Sequence, residues 1–188
     1  LNMRMGINDF SANDLISNMD ENNLSRVFKI FGDERYSKKI AREIVKMRKF
    51  KTIKTEDLVQ IIDSVKKYQK TKIHNSTKIF QALRILVNKE ISELINALIN
   101  SFHLIPIGGV IAVVTFHSIE DKIVKFFFKH YSEERNSSRY MPKEEVSEKC
   151  FKIIDKKPIL PISKEISQNP PSRSAKLRYA VSYTHLRA

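Results

Sequence analysis

The longest apolar stretch of the chain, LIPIGGVIAVVTF at 104–116, limits its fold more than any other segment. Pro106, Gly108 and Gly109 interrupt its first half. A bilayer-crossing helix needs about 20 apolar residues, so the stretch excludes a membrane-spanning role. After the glycines, VIAVVTF is rich in β-branched side chains and has the length of a buried strand. SIEDKIVKFFFKHY follows and reads as a helix, with Ser118 as its N-cap and Glu120 and Asp121 in its first turn. A buried strand feeding a helix predicts an α/β layer. CFKIID and AKLRYAV read as two more strands, joined by a loop rich in Pro and Ser. Three strands do not complete a doubly wound parallel sheet; they suit the last third of one.

The first half reads differently. Residues 8–72 carry helical periodicity and no convincing strand. Ser11 caps a short helix through Leu15 and Ile16. A second helix spans about Glu21 to Ile30 and ends at Gly32. A third runs from about Asp33 to Arg48, with acids in its first turn and bases in its last. Thr55 caps a fourth. A long helix is then predicted from about Ser76 to Ser101. The polar stretch 132–149 reads as loop.

Composition narrows the class. Of 188 residues, 41% are apolar, enough for a packed core. The four glycines cannot spell a G-x-G-x-x-G phosphate loop. A single cysteine, Cys150, can form neither an internal disulfide nor a zinc site, which fits a reducing, cytoplasmic compartment. Net charge is +13, which points to a polyanionic partner, nucleic acid ahead of membrane. The opening LNMRMG reads as the interior of a longer chain, and residues 182–188 read as a non-native tail. An ordinary frayed terminus remains the plain alternative for both ends.

Three places can carry chemistry. On the third helix, Arg35, Lys38, Lys39, Arg42, Lys46 and Lys49 fall in one stripe about 100° wide, opposite Tyr36, Ile40, Ile44 and Met47. From Asp33 to Lys78 there are 14 Lys and Arg against 6 Asp and Glu. Such a row suits RNA phosphates; the plain alternative is a solvated helix face. At the junction TFHSIED, His117, Ser118, Glu120 and Asp121 would sit at the carboxyl end of a parallel strand, where open α/β sheets bind ligands. Helix capping and a satisfied core histidine explain the same residues. The loop NPPSRSAKLR gathers Arg173, Lys176 and Arg178, which can grip a phosphate or carboxylate; a turn between strands looks much the same.

Together, LNMRMG, FGDERYSKKIAREIV, FQALRILVNKEI, FHSIEDKIVKFF and NPPSRSAKLR resemble the bacterial 16S ribosomal RNA cytosine-N4 methyltransferase family (RsmH, also called MraW). The resemblance covers nearly the whole chain. It implies S-adenosylmethionine-dependent methylation of the exocyclic amine of a cytidine in the decoding centre of the small ribosomal subunit. It implies an α/β fold: a Rossmann-like methyltransferase domain interrupted by an inserted all-helical domain. Residues 1–75 would be the helical, RNA-recognising part and 76–181 the C-terminal part of the methyltransferase domain. The family's Gly-rich cofactor loop and acidic ribose-binding residue would lie before Leu1, leaving the fragment inactive alone.

The resemblance makes His117, Ser118 and Asp121 candidates for the cytidine pocket. It makes Arg35, Lys38, Lys39, Arg42, Lys46, Arg173 and Lys176 candidates for RNA contact. The sequence departs from the family pattern at Asn2 and Pro171, where Asp and Arg are usual, and at Ile119 and Lys122. Lys122 loses a planar fork, and Pro171 removes a cation. A non-enzymatic basic helical RNA-binding module is the alternative reading.

Overall fold

The structure is a computed structural model that describes residues 1–5, 10–66, 74–132 and 151–183. Gly6, Cys150, nearly all of the 132–149 stretch and residues 184–188 of the expected tail lie outside the described residues. The chain divides into two compact units, Leu1–Ile91 and Ser92–Ala188.

The first unit is helical. Its helices are α1 (Ala12–Asn18), α2 (Glu21–Gly32), α3 (Ser37–Met47), α4 (Thr55–Lys66) and α5 (Thr77–Val87). Ser11 caps α1 in a reciprocal box with Asp14, as its position before the apolar run predicts. Leu24 and Phe28 from α2, Ile40 and Ile44 from α3, Leu58 and Ile62 from α4, and Ile79 and Leu83 from α5 are fully buried together. Each pair is spaced four apart, one apolar stripe per helix.

Two boundaries differ from the sequence expectation. Gly32 is the last residue of α2, and Asp33 takes the left-handed cap at φ 48°, a conformation Asp tolerates. A Cβ at Gly32 would stand 2.6 Å from the Lys78 carbonyl oxygen, so the missing side chain lets α2 approach α5. Consequently α3 begins at Ser37, and Asp33 and Glu34 do not lie in its first turn. Glu34 is instead buried against Lys66 at 2.7 Å and accepts the Tyr36 N–H.

The helix expected over Ser76–Ser101 is two helices, α5 and α6 (Glu90–Leu104). Lys89 is left-handed at φ 52°. Asn88 explains the break. Its side-chain amide donates to the carbonyls of Arg84 and Met3 and accepts the Met5 N–H. A side chain that bonds backbone in this way competes with helix continuation.

The second unit is mixed. It contains β1 (Val110–Thr115), α7 (Ser118–His130), β2 (Phe151–Ile153), α8 (Ser163–Gln168), a 3-10 turn (Pro170–Ser174) and β3 (Lys176–Ser182). All three expected strands are present, and they form one sheet in the order β1-β3-β2. Their pairings correct the parallel arrangement. β1 and β2 both run antiparallel to β3, with Val113 opposite Arg178 and Phe151 opposite Ser182. Among the described residues β1 is an edge strand, not an inner parallel one. Ile111, Val124, Phe128, Phe151 and Ala180 form the core on the α7 side of the sheet. Val110 and Val114 on one face of β1, and Phe116 just beyond it, are exposed. Ser182, at the start of the expected tail, is buried in β3.

Candidate active site and RNA-facing residues

The β1–α7 junction is built by capping. His117 is the N-cap of α7, with extended backbone (φ −137°, ψ 163°), and Ser118 is the first helical residue, not the cap. The His117 Nδ1 accepts the Glu120 N–H at 3.4 Å. The Glu120 carboxylate accepts the N–H groups of Phe116 at 2.9 Å and His117 at 3.3 Å. This is a capping box with His in the place usually held by Ser or Thr. The H-x-x-E spacing is its sequence signal.

The cap also sets the tautomer. A ring nitrogen that accepts a hydrogen bond carries no proton, so neutral His117 holds its proton on Nε2. Nε2 lies 3.1 Å from Glu120 Oε1. The two are close but poorly aligned, and the nitrogen is buried without a hydrogen bond among the described residues. The His117 side chain is only 10% exposed. With the Glu120 carboxylate close but off-line, the Nε2–H is left poorly satisfied and has room for a better-aligned acceptor. Burial raises the Glu120 pKa, but hydrogen bonds from His117 and the Phe116 N–H outweigh it and hold the group below the ordinary carboxylate value.

One turn on, Asp121 ties α7 to β3. The Arg178 Nε donates to it at 2.7 Å and the second guanidinium nitrogen at 3.3 Å, with the Lys176 ammonium at 3.4 Å. Burial works against its charge, yet Arg178 and then Lys176 keep the Asp121 pKa below its usual value. A carboxylate held ionised by two cations is a weak base. It is a strong acceptor, and with four lone-pair sites it can take a further N–H. Ser118 is exposed beside it.

The remaining candidates divide. Arg173 is exposed in the 3-10 turn, whereas Lys176 faces Asp121. Arg178, a neighbour in the same motif, is the principal partner of Asp121, and the distance of 57 residues between them hides the pair from local pattern. In the first unit, Arg35 stands just before α3, and Lys38, Lys39, Arg42 and Lys46 project from it exposed. Arg42 lies 3.5 Å from Glu21 and Lys46 2.8 Å from Glu43. Lys38 and Lys39 have no carboxylate partner among the described residues.

Comparison with known proteins supplies the wider frame. A family model described as the MraW methylase family matches residues 1–182. A protein of Afipia carboxidovorans is 44% identical over 181 residues, covering 96% of this chain and 54% of that protein. One from Azorhizobium caulinodans is 42% identical, covering 96% of this chain and 52% of its own length. One from a Chelativorans species is 41% identical over 187 residues, covering 98% and 55%. All three are named ribosomal RNA small subunit methyltransferase H. The chain spans about half the length of these curated relatives.

Proposed function

The chain belongs to the MraW methylase family, and on that premise we propose that it is the acceptor-side portion of an S-adenosylmethionine-dependent methyltransferase of 16S ribosomal RNA. The target is the N4 amine of a cytidine in the decoding centre, reached in the small ribosomal subunit in the cytoplasm. Residues 76–181 belong to a Rossmann-like methyltransferase domain and residues 1–75 to a helical insert that meets RNA.

Among the described residues the glycines serve packing and a turn rather than a phosphate loop. Gly32 packs on the Lys78 backbone, and Gly108 and Gly109 form the turn into β1. The cofactor loop belongs to sequence outside this chain, and the fragment alone has no turnover. What the chain supplies is the acceptor side. Moving a methyl group onto an amine is a direct displacement, so most of the protein's work is to hold the amine in line.

The observation that carries the reading is the buried His117 Nε2, close to Glu120 but without an aligned hydrogen bond among the described residues, at the start of the helix that carries the ionised Asp121. The cytosine edge places a ring-nitrogen acceptor next to its exocyclic amine. Nε2–H donates to that acceptor, and the Asp121 carboxylate accepts an amine N–H. Arg178 and Lys176 fix the carboxylate, and Ser118 lies at the rim. His117 acts here as a donor, because its other nitrogen is engaged in the helix cap. Exposed Lys38 and Lys39, with Arg35, Arg42, Lys46 and Arg173, contact phosphates.

Two substitutions in the intact protein test this. His117→Asn keeps a good N-cap but removes the Nε2 donor; its melting temperature stays near that of the wild type while methylation falls tenfold or more. Asp121→Ala gives at least a comparable loss, about the low end for a lost positioning or proton-transfer group. Near-normal turnover in both variants overturns the assignment. A non-enzymatic RNA-binding helical module draws support from Lys38 and Lys39, which have no carboxylate partner among the described residues; RNA binding with no S-adenosylmethionine binding by the intact protein would establish it instead.

A further inference from the structure

The second unit holds a cavity of about 650 Å³ that the candidate site does not use. Its volume lies within the roughly 300–1,000 Å³ range of small-ligand pockets. One wall is a face of α7. Lys125, Phe128 and Lys129 stand four, seven and eight residues after Asp121, so all share one side of the helix. Asp121 to Lys129 covers about 12 Å at 1.5 Å per residue. Arg178, which clamps Asp121, also lines the cavity. The cavity therefore continues from the candidate site along α7.

Its chemistry is two-sided. Lys125, Lys129, Lys152 and Lys156 supply positive charge. Lys125, Lys152 and Lys156 have no carboxylate partner among the described residues. The charge of Arg178 is matched by Asp121. Asp155, the carboxylate on the lining, accepts the Tyr179 hydroxyl at 2.6 Å. Phe128 and Phe151 form a buried apolar floor, and the Tyr179 ring stands half-buried on the lining. Cations alone would suit any phosphate. An apolar floor and an aromatic ring among cations suit a flat base joined to a phosphate, the combination used in single-strand binding.

We propose that this cavity seats a nucleotide of the RNA strand flanking the target cytidine. The inference rests on the methyltransferase reading for the identity of the strand. It requires only binding for its own test.

The test uses the intact protein and a labelled single-stranded RNA of about a dozen nucleotides. In the combined variant Lys125→Ala, Lys152→Ala, Lys156→Ala, affinity falls at least tenfold. The slope of log K against log salt becomes shallower by about 1.4, at about 0.7 for each of the two phosphates that flank one nucleotide. Tyr179→Leu weakens binding severalfold with the slope unchanged, because a ring contributes stacking and not charge. Lysine acylation of the wild type is a second readout that needs no variant. The RNA protects Lys125, Lys152 and Lys156, and polyphosphate at equal charge does not.

Binding of the triple variant within twofold of wild type overturns the proposal. So does equal protection by polyphosphate, which would leave only a plain anion patch. Cytidine monophosphate binding as tightly as the oligonucleotide also overturns it, by making the ligand a free nucleotide. If the lysines bind RNA but the intact protein transfers no methyl group, the methyltransferase reading fails and the cavity assignment stands. If methylation proceeds and the lysines are indifferent to RNA, the cavity assignment fails alone.

Discussion

The two units use their apolar residues in opposite ways. In the helical unit, all five helices turn a stripe inward, and among its described residues only Met5, Ile30 and Phe50 are large, apolar and exposed. In the mixed unit, α7 covers one face of the sheet, while the other face leaves Val110 and Val114 open, with Phe116 just beyond the strand. Helices that pack around a common axis can close a core among themselves. A sheet has two faces, and one helix covers one of them. Most of the fully buried apolar side chains thus lie in Leu1–Ile91, while in the mixed unit polar groups from α7 and β3 meet.

The largest test of that contrast is Phe28→Ala, in the centre of the helical core. It removes a fully buried ring and should cost about 4 kcal/mol, measured by denaturant unfolding. A loss below about 1 kcal/mol would mean that the core is not where the stability lies. Next comes Lys66→Ala, which strands Glu34 in a buried position; it should cost about 3 kcal/mol, read in the same way. Replacing both partners with apolar residues should recover much of that loss.

In the mixed unit, Asp121→Asn should lower stability at neutral pH by about 1.5–3 kcal/mol, the scale of hydrogen bonds to a charged group. The pH dependence has a definite sign. Folding lowers the Asp121 pKa from its ordinary 3.8. Its contribution is therefore complete above that value and is lost as pH falls through the lower, folded-state value. Melting curves of wild type and variant should converge toward the acid end and separate by pH 6; parallel curves would contradict the ion pair. The smallest effect belongs to the bare face. Val114→Thr, at an exposed position that keeps β-branching, should change stability by less than about 0.5 kcal/mol. A larger loss would show that the face is covered in solution.

The candidate site was legible in part. His117, Ser118 and Asp121 stand out because a polar cluster follows an apolar strand. Their jobs did not show, since the same spacing serves both a helix cap and a binding edge. The structure gives the cap to His117 and leaves its Nε2 buried and unbonded. The junction does not follow a parallel strand: among the described pairings β1 runs antiparallel to β3. The geometry of the cap and the clamp carries the site instead. On α3, the stripe of cations is where periodicity puts it, yet Arg42 and Lys46 already have acidic neighbours from α2 and from their own helix.

What the sequence determined by itself is what depends on near neighbours. Periods of 3.6 and 2 locate helices and strands, because each residue's side is set by the backbone a few positions away. The run of family motifs likewise needs no coordinates. Tertiary structure alone decided what depends on distant partners. Asn88 breaks a predicted helix by bonding to Met3 and Met5, more than 80 residues away. β3 returns antiparallel beside β1, and Arg178 reaches Asp121 across 57 residues. Such contacts balance loop closure, burial and charge over the whole chain, and no local pattern of side chains encodes that balance.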